Sequence, residues 1–258
     1  MDIQAYLARM NYDGPTGPDA ETLRGLQVAH LQSVPFENLS IHAGEPIVLT
    51  DEALFTKIVE RRRGGFCYEA NGLFAALLRA LGFETRMLSA EVAHAEGGFS
   101  EPFDHMALMV GLEERWLVDV GFGDSFMEPL RLDETSQQLQ GQLQGQIQGG
   151  RVYRISVDGD YRILERCEGS QWKPEYRFTL QPYIYGDFSG MCEYHQTSRE
   201  SHFTQKRICS RATADGGRIT LSDMRLIETA GDGKRNERML ATQDEYDTVL
   251  GESFGIVM

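Results

Sequence analysis

Residues 63 to 71 read RGGFCYEAN, a cysteine behind two glycines at what the pattern predicts as a helix start. A helix N-terminus offers unpaired N–H groups and the positive end of a dipole, and both favour a thiolate. Gly64 and Gly65 would let the chain turn sharply and leave space for an acyl group beside Cys67. The backbone N–H of Cys67 is itself placed to stabilise an oxyanion. Taken alone, the stretch fits a nucleophile and a buried structural thiol equally well.

A thiol nucleophile needs a base, and the base needs an orienting partner. The histidines are 30, 42, 94, 105, 195 and 202. His30 falls on a core-facing helical stripe. His105 lies in FDHMALMVGL, which is followed so closely by RWLVDVGFG that a hairpin is the natural connection. With residues 111–113 or 110–114 as the loop, His105 stands directly opposite Asp119. Such neighbours share a face with Cβ atoms about 4.5–5.5 Å apart. Asp119 would then hold one ring nitrogen and leave the other for Cys67. A loop of even length breaks the pairing, and a surface His–Asp pair fits the same pattern. Asp104, adjacent to His105, points to the opposite face. Asp124 lies past Gly121 and Gly123, beyond the strand.

Helical segments come first in the chain. DAETLRGLQVAHLQSV has Asp19 as an N-cap, and TDEALFTKIVERRR repeats the apolar spacing. YEANGLFAALLRALG follows the cysteine, with Gly82 placed to end it in a left-handed cap. From residue 84 the period becomes two. TRMLSAEVAH, FDHMALMVGL, RWLVDVGFG, VYRISV and DYRILER read as strands, with Asp158-Gly159 marking a hairpin. These strands suggest an antiparallel sheet or small barrel. SQQLQGQLQGQIQGG, residues 136–150, has Leu139, Leu143 and Ile147 at helical spacing, but its glycines oppose a helix, and it reads as a mobile loop. The last part adds a short helical stretch, the strands HFTQKRICSRAT, GRITLS and MRLIETAG, and a helix over ATQDEYDTVL. The expected division is 1–83, helical and carrying the cysteine; 84–187, carrying His and Asp; and 188–258.

The 258 residues are 41% hydrophobic and 25% charged, within the globular range. A net charge of −14 argues against nucleic acid as a partner. There is neither an apolar run long enough for a membrane span nor a signal-peptide pattern at the N-terminus. The four cysteines form no CxxC pair, which argues against a disulfide framework or a metal site and fits the cytoplasm. Basic residues cluster at Arg61–Arg63 and again at Lys206, Arg207 and Arg211. Either island could hold an anionic cofactor, or be a solvated face.

VPFENLSIH (34–42), RRRGGFCYEANGLF (61–74), FDHMALMV (103–110) and VDVGFG (118–123) occur in this order. SRESHFTQKRICSRATADGGRITLSD (198–223) and the closing EYDTVLGESFGI extend the match over nearly the whole chain. In these motifs the sequence resembles the bacterial arylamine N-acetyltransferases. The resemblance implies an α+β fold: an N-terminal helical bundle, a central antiparallel β-barrel and a C-terminal α/β lid around a cysteine-protease-like Cys-His-Asp core. It implies that Cys67, His105 and Asp119 form the triad. It also implies ping-pong transfer of acetyl from acetyl-CoA to an arylamine, hydrazine or N-hydroxyarylamine, without a metal, by a monomer or homodimer. Phe122, Val92, Phe203 and Gly123 would line the acceptor pocket. Lys206 and Arg207 would meet the CoA phosphates, and Glu37 and Arg63 would brace the loop. The sequence departs from the family in a shorter hairpin after His105, in its Gln/Gly tract, and in Asp104, where a small polar residue is common. A macrolactam-forming amide synthase of the same fold, a papain- or transglutaminase-like hydrolase, and a binding protein with a dead triad are the competing readings.

Overall fold

A computed structural model describes residues 1–140, 142–143, 146–147 and 151–257. Its N-terminal layer is helical: α1 Ile3–Arg9, α2 Ala20–Ser33, a short strand β1 Phe36–Glu37, α3 Leu39–Ala43, α4 Asp51–Phe55 running into a π turn Thr56–Glu60, and α5 Cys67–Ala80. Asp19 caps α2 by accepting from the Thr22 N–H at 2.8 Å. Gly82, at φ 92°, closes α5 as its composition predicts.

The strands after residue 84 form a nearly closed antiparallel barrel. They are β2 Glu84–Val92, β3 His105–Gly111, β4 Arg115–Val118, β5 Leu130–Arg131, β6 Gln138–Leu139, β7 Gln142–Leu143, β8 Gln146–Ile147, β9 Val152–Asp158, β10 Tyr161–Glu168 and β11 Gln171–Tyr183. The barrel runs β5-β4-β3-β2-β11-β10-β9-β6, while β7 and β8 pair separately. The Gln138 amide bonds both the N–H and the carbonyl of Arg131, tying edge strand β6 to edge strand β5. Within the Gln/Gly tract, expected as a loop, Gln138–Leu139, Gln142–Leu143 and Gln146–Ile147 are short paired strands. Residues 141, 144–145 and 148–150, on which the rest of that reading falls, lie outside the described residues.

The last layer consists of α6 Tyr185–Thr197, α7 His202–Gln205, β12 Ile208–Ala212, β13 Arg218–Ser222, β14 Arg225–Thr229, β15 Arg235–Met239 and α8 Gln243–Val249, which continues as a π turn. Two expectations fail here. His202–Gln205 is helical, because Ser201 caps the Phe203 N–H and starts a turn, and Arg235–Met239 adds a fourth strand. Strand β1, from the helical layer, pairs with β12 and so stitches the two ends of the chain together.

Strand β3 is buried on both faces. Met106, Leu108 and Val110 pack with Leu73, Leu77 and other α5 residues, while Ala107 and Met109 enter the barrel core with Leu88 and Tyr176. The helix carrying the cysteine is thereby pressed directly onto the strand carrying the histidine. Leu108 is fully buried in this contact. Leu108→Ala is expected to cost about 2–5 kcal/mol, read as a lowered urea midpoint with an unchanged slope.

Candidate active site

Cys67 occupies the first position of α5, next to β3 and the segment that follows β4. Burial pushes its thiol well up, and the Met106 N–H offsets this only in part. Burial and the helix N-terminus thus act on the thiol in opposite senses.

His105 begins β3, which packs against α5. Its Nε2 lies 2.7 Å from Asp119 Oδ2, with both side chains buried. The strand register differs from the expected one: Gly111 pairs with Arg115 and Val110 with Trp116, so residues 112–114 form the loop and β4 ends at Val118. In β-register His105 faces Ala90 of β2 rather than Asp119. The loop is still odd in length, so Asp119 keeps the same side of the sheet and reaches His105 from just beyond the strand.

Asp119 is held by more than histidine. Its Oδ1 accepts from Asn71 Nδ2 at 2.8 Å and from the Gly121 N–H at 2.8 Å. Burial drives its carboxyl up, but His105, Asn71 and the Gly121 amide outweigh burial and hold it below the usual carboxylate range. Asn71 also donates to the Met106 carbonyl and accepts from the Val120 N–H. Sequence reading passed over this residue. The available signal was its place four residues after Cys67, on the same helix face.

A cavity of about 470 Å³ opens over Cys67 and His105, with Val92, Phe122, Phe203 and the unpredicted Phe36 in its wall. The Phe122 ring meets His105 edge-on at 5.1 Å. Gly121 lies against Cys67: a Cβ there would fall 2.7 Å from the Cys67 Cα. The glycine pair has another purpose than the one expected. A Cβ on Gly64 would strike the Pro35 carbonyl at 1.9 Å, one on Gly65 would strike Glu69, and neither residue lines the cavity. Gly64 admits the 35–37 segment and Gly65 the Glu69 side chain, with the Glu37 N–H donating to the Gly65 carbonyl.

Glu37 and Arg63 form a buried ion pair at 2.9 Å, and Lys57 pairs with Glu69 at 2.6 Å beside it. Gly123 stands outside the cavity wall and serves the turn, at φ 95° above Phe36. Lys206 lines the mouth. Arg207 lies instead over the Tyr246 ring at 4.2 Å, and Arg211 donates to the carbonyls of Gln32 and Ser253. Asp104 faces His195, and Asp124 is taken by Arg151 and Arg218. Among the described residues, no group of three or more His, Cys, Asp or Glu could hold a metal ion, and no helix is long and apolar enough to cross a membrane.

Residues 19–258 match the N-acetyltransferase family model. The chain is 39% identical to an arylamine N-acetyltransferase of Mycolicibacterium smegmatis, over 99% of this chain and 92% of that protein. It superposes on the Salmonella typhimurium arylamine N-acetyltransferase with a TM-score of 0.90 at 30% identity, covering 98% of this chain and 90% of that one. On the Mycobacterium marinum arylamine N-acetyltransferase in complex with CoA the TM-score is 0.87 at 33% identity, covering 99% and 93%. The chain belongs to this N-acetyltransferase family and is an acyltransferase.

Arg63→Ala would leave the Glu37 charge buried without its main partner, with an expected loss of about 3–5 kcal/mol in chemical denaturation. Glu175, which accepts from Ser125 Oγ near the site, has its carboxyl pushed up to about 7, chiefly by burial. The folded protein keeps this proton while the unfolded chain releases it near 4.5, so Glu175 makes stability fall as pH rises from about 4.5 to 7. The decline should amount to about 3 kcal/mol. Urea midpoints of Glu175→Gln at about pH 5 and about pH 8 should converge relative to the unmutated protein.

Proposed function

We propose that the protein transfers an acetyl group from acetyl-CoA through a Cys67 thioester to arylamines, hydrazines or N-hydroxyarylamines. The observation that carries this reading is the buried His105–Asp119 pair, which shares a cavity wall with a buried thiol. An ionised carboxylate can only accept, so His105 Nε2 carries the hydrogen and Nδ1 presents a lone pair toward the cavity. Nδ1 takes the Cys67 proton, and the sulfur attacks the thioester carbonyl. The bond from carbonyl carbon to CoA sulfur breaks, and the imidazolium returns its proton to that leaving sulfur. The Cys67 N–H, at the first helical position, is available to the intermediate's oxyanion.

In the second half-reaction the neutral amine attacks the acetyl-cysteine. His105 removes an N–H proton, and Cys67 leaves as the amide forms. An arylamine is weakly basic, arrives uncharged and suits the aromatic wall of Phe36, Phe122 and Phe203. The CoA complex of the Mycobacterium marinum relative supports CoA as the donor's carrier, and Lys206 at the mouth is the residue assigned to its phosphates. The four cysteines are free, in keeping with a cytoplasmic protein. The comparisons lend support to acetyl transfer and none to macrolactam closure or peptide hydrolysis.

Mass spectrometry after mixing with acetyl-CoA alone should find one acetyl group, on Cys67. Cys67→Ser should lose turnover, and Asp119→Asn should lower kcat by about 10³- to 10⁴-fold. Full turnover by the serine variant would defeat the assignment.

A further inference from the structure

A second cavity, of about 570 Å³, adjoins the catalytic one, and the two share Asp104 and His202 in their walls. Its charge is one-sided. Glu101, Asp104 and Glu200 line it, and among the described lining residues there is neither lysine nor arginine. Phe99, Met191 and Tyr194 give it an apolar and aromatic surface. Arg177 lies over the Phe99 ring, but that guanidinium is taken up by Glu91 at 2.6 Å. His195, 2% exposed, stands in the same wall with its Nδ1 on Ser201 Oγ. Its Nε2 is 3.0 Å from Asp104 Oδ1 yet has no aligned hydrogen bond.

Asp104 is the only carboxylate in the catalytic cavity wall among the described residues, and its posture is fixed. The residue before it, Phe103, adopts φ 69°, a backbone conformation that a phenylalanine rarely takes. The Tyr68 hydroxyl donates to the Phe103 carbonyl and lies within hydrogen-bond reach of the Asp104 carbonyl, while Ser89 Oγ holds the Phe103 N–H. A strained turn clamped at three points displays one acid where the two cavities meet.

We infer that the second cavity is a distal acceptor subsite selecting arylamines or hydrazines that carry a cationic substituent and rejecting those that carry a carboxylate. This rests on the acetyl-transfer reading and specifies its substrate class. Carboxylates on one wall and Lys206 on the other separate the two substrates by charge. The polyanionic donor is drawn to the lysine side and a cationic acceptor tail to the acidic side. Tyr194 adds a partly exposed ring face suited to a cation.

The test compares kcat/KM for (4-aminobenzyl)trimethylammonium and 4-aminobenzoate, with 4-methylaniline as the uncharged reference. The intrinsic reactivity of each amine cancels when the cation-to-anion ratio is compared between enzyme forms. Asp104→Asn should lower that ratio by about tenfold. Glu101→Gln and Glu200→Gln, at exposed rim positions, should each lower it severalfold, and added salt should shrink the ratio of the unmutated enzyme. A ratio unchanged within about twofold in all three variants overturns the subsite, even if 4-methylaniline is acetylated normally. Failure to acetylate 4-methylaniline in the unmutated enzyme would instead overturn the acetyl-transfer reading. The rim variants keep the test decisive if Asp104→Asn does not fold.

Discussion

The whole site depends on a charge that has been taken out of water. The Asp119 side chain is 1% exposed, and an ionised carboxylate in such a place costs several kcal/mol unless each oxygen is answered. One oxygen takes His105 and the other takes Asn71 and the Gly121 amide. These partners come from a strand, a helix and the turn after the next strand, so satisfying one carboxylate fixes three elements relative to one another. The same bonds orient the imidazole.

A second buried network frames the other side of Cys67. Arg63 and Lys57 answer Glu37 and Glu69, and a Glu69 oxygen accepts the Phe66 N–H at the entry to α5. Arg9, almost fully buried, donates to the carbonyls of Ser33, Ile58, Arg62 and Arg63. The approach to Cys67 is thus held by fixed charges rather than by glycine flexibility. Asn38 extends the frame to the C-terminal layer by bonding the carbonyls of Phe203 and Lys206 and the N–H of Ile208. The chain that precedes the cysteine therefore also sets the far wall of the cavity.

Much of the fold could be read from pattern, and the misses have local causes. The helices declared themselves by caps and period. The long strand β11 did not, because Pro174 and Pro182 interrupt QWKPEYRFTLQPY. Both prolines sit at shifts of register, where a bulged or irregular ladder spares the missing N–H. The His105 hairpin was placed on the correct face with the wrong register, since face depends only on loop parity. Arg207 looked free for an anion because a sequence does not show the Tyr246 ring beneath it.

Sequence alone determined which residue types could do this chemistry, their order along the chain, and the parity that puts histidine and aspartate on one side of a sheet. Those properties are local, carried by residue identity and spacing. Tertiary structure alone decided that Asn71 completes the aspartate's shell, that Gly64 admits the chain at strand β1, and that Asp104 stands between two cavities. These depend on which distant backbone comes within hydrogen-bond or van der Waals reach. The state of the thiol belongs to the same class: a helix N-terminus favours the anion, but burial opposes it, and only packing shows how deep the sulfur lies.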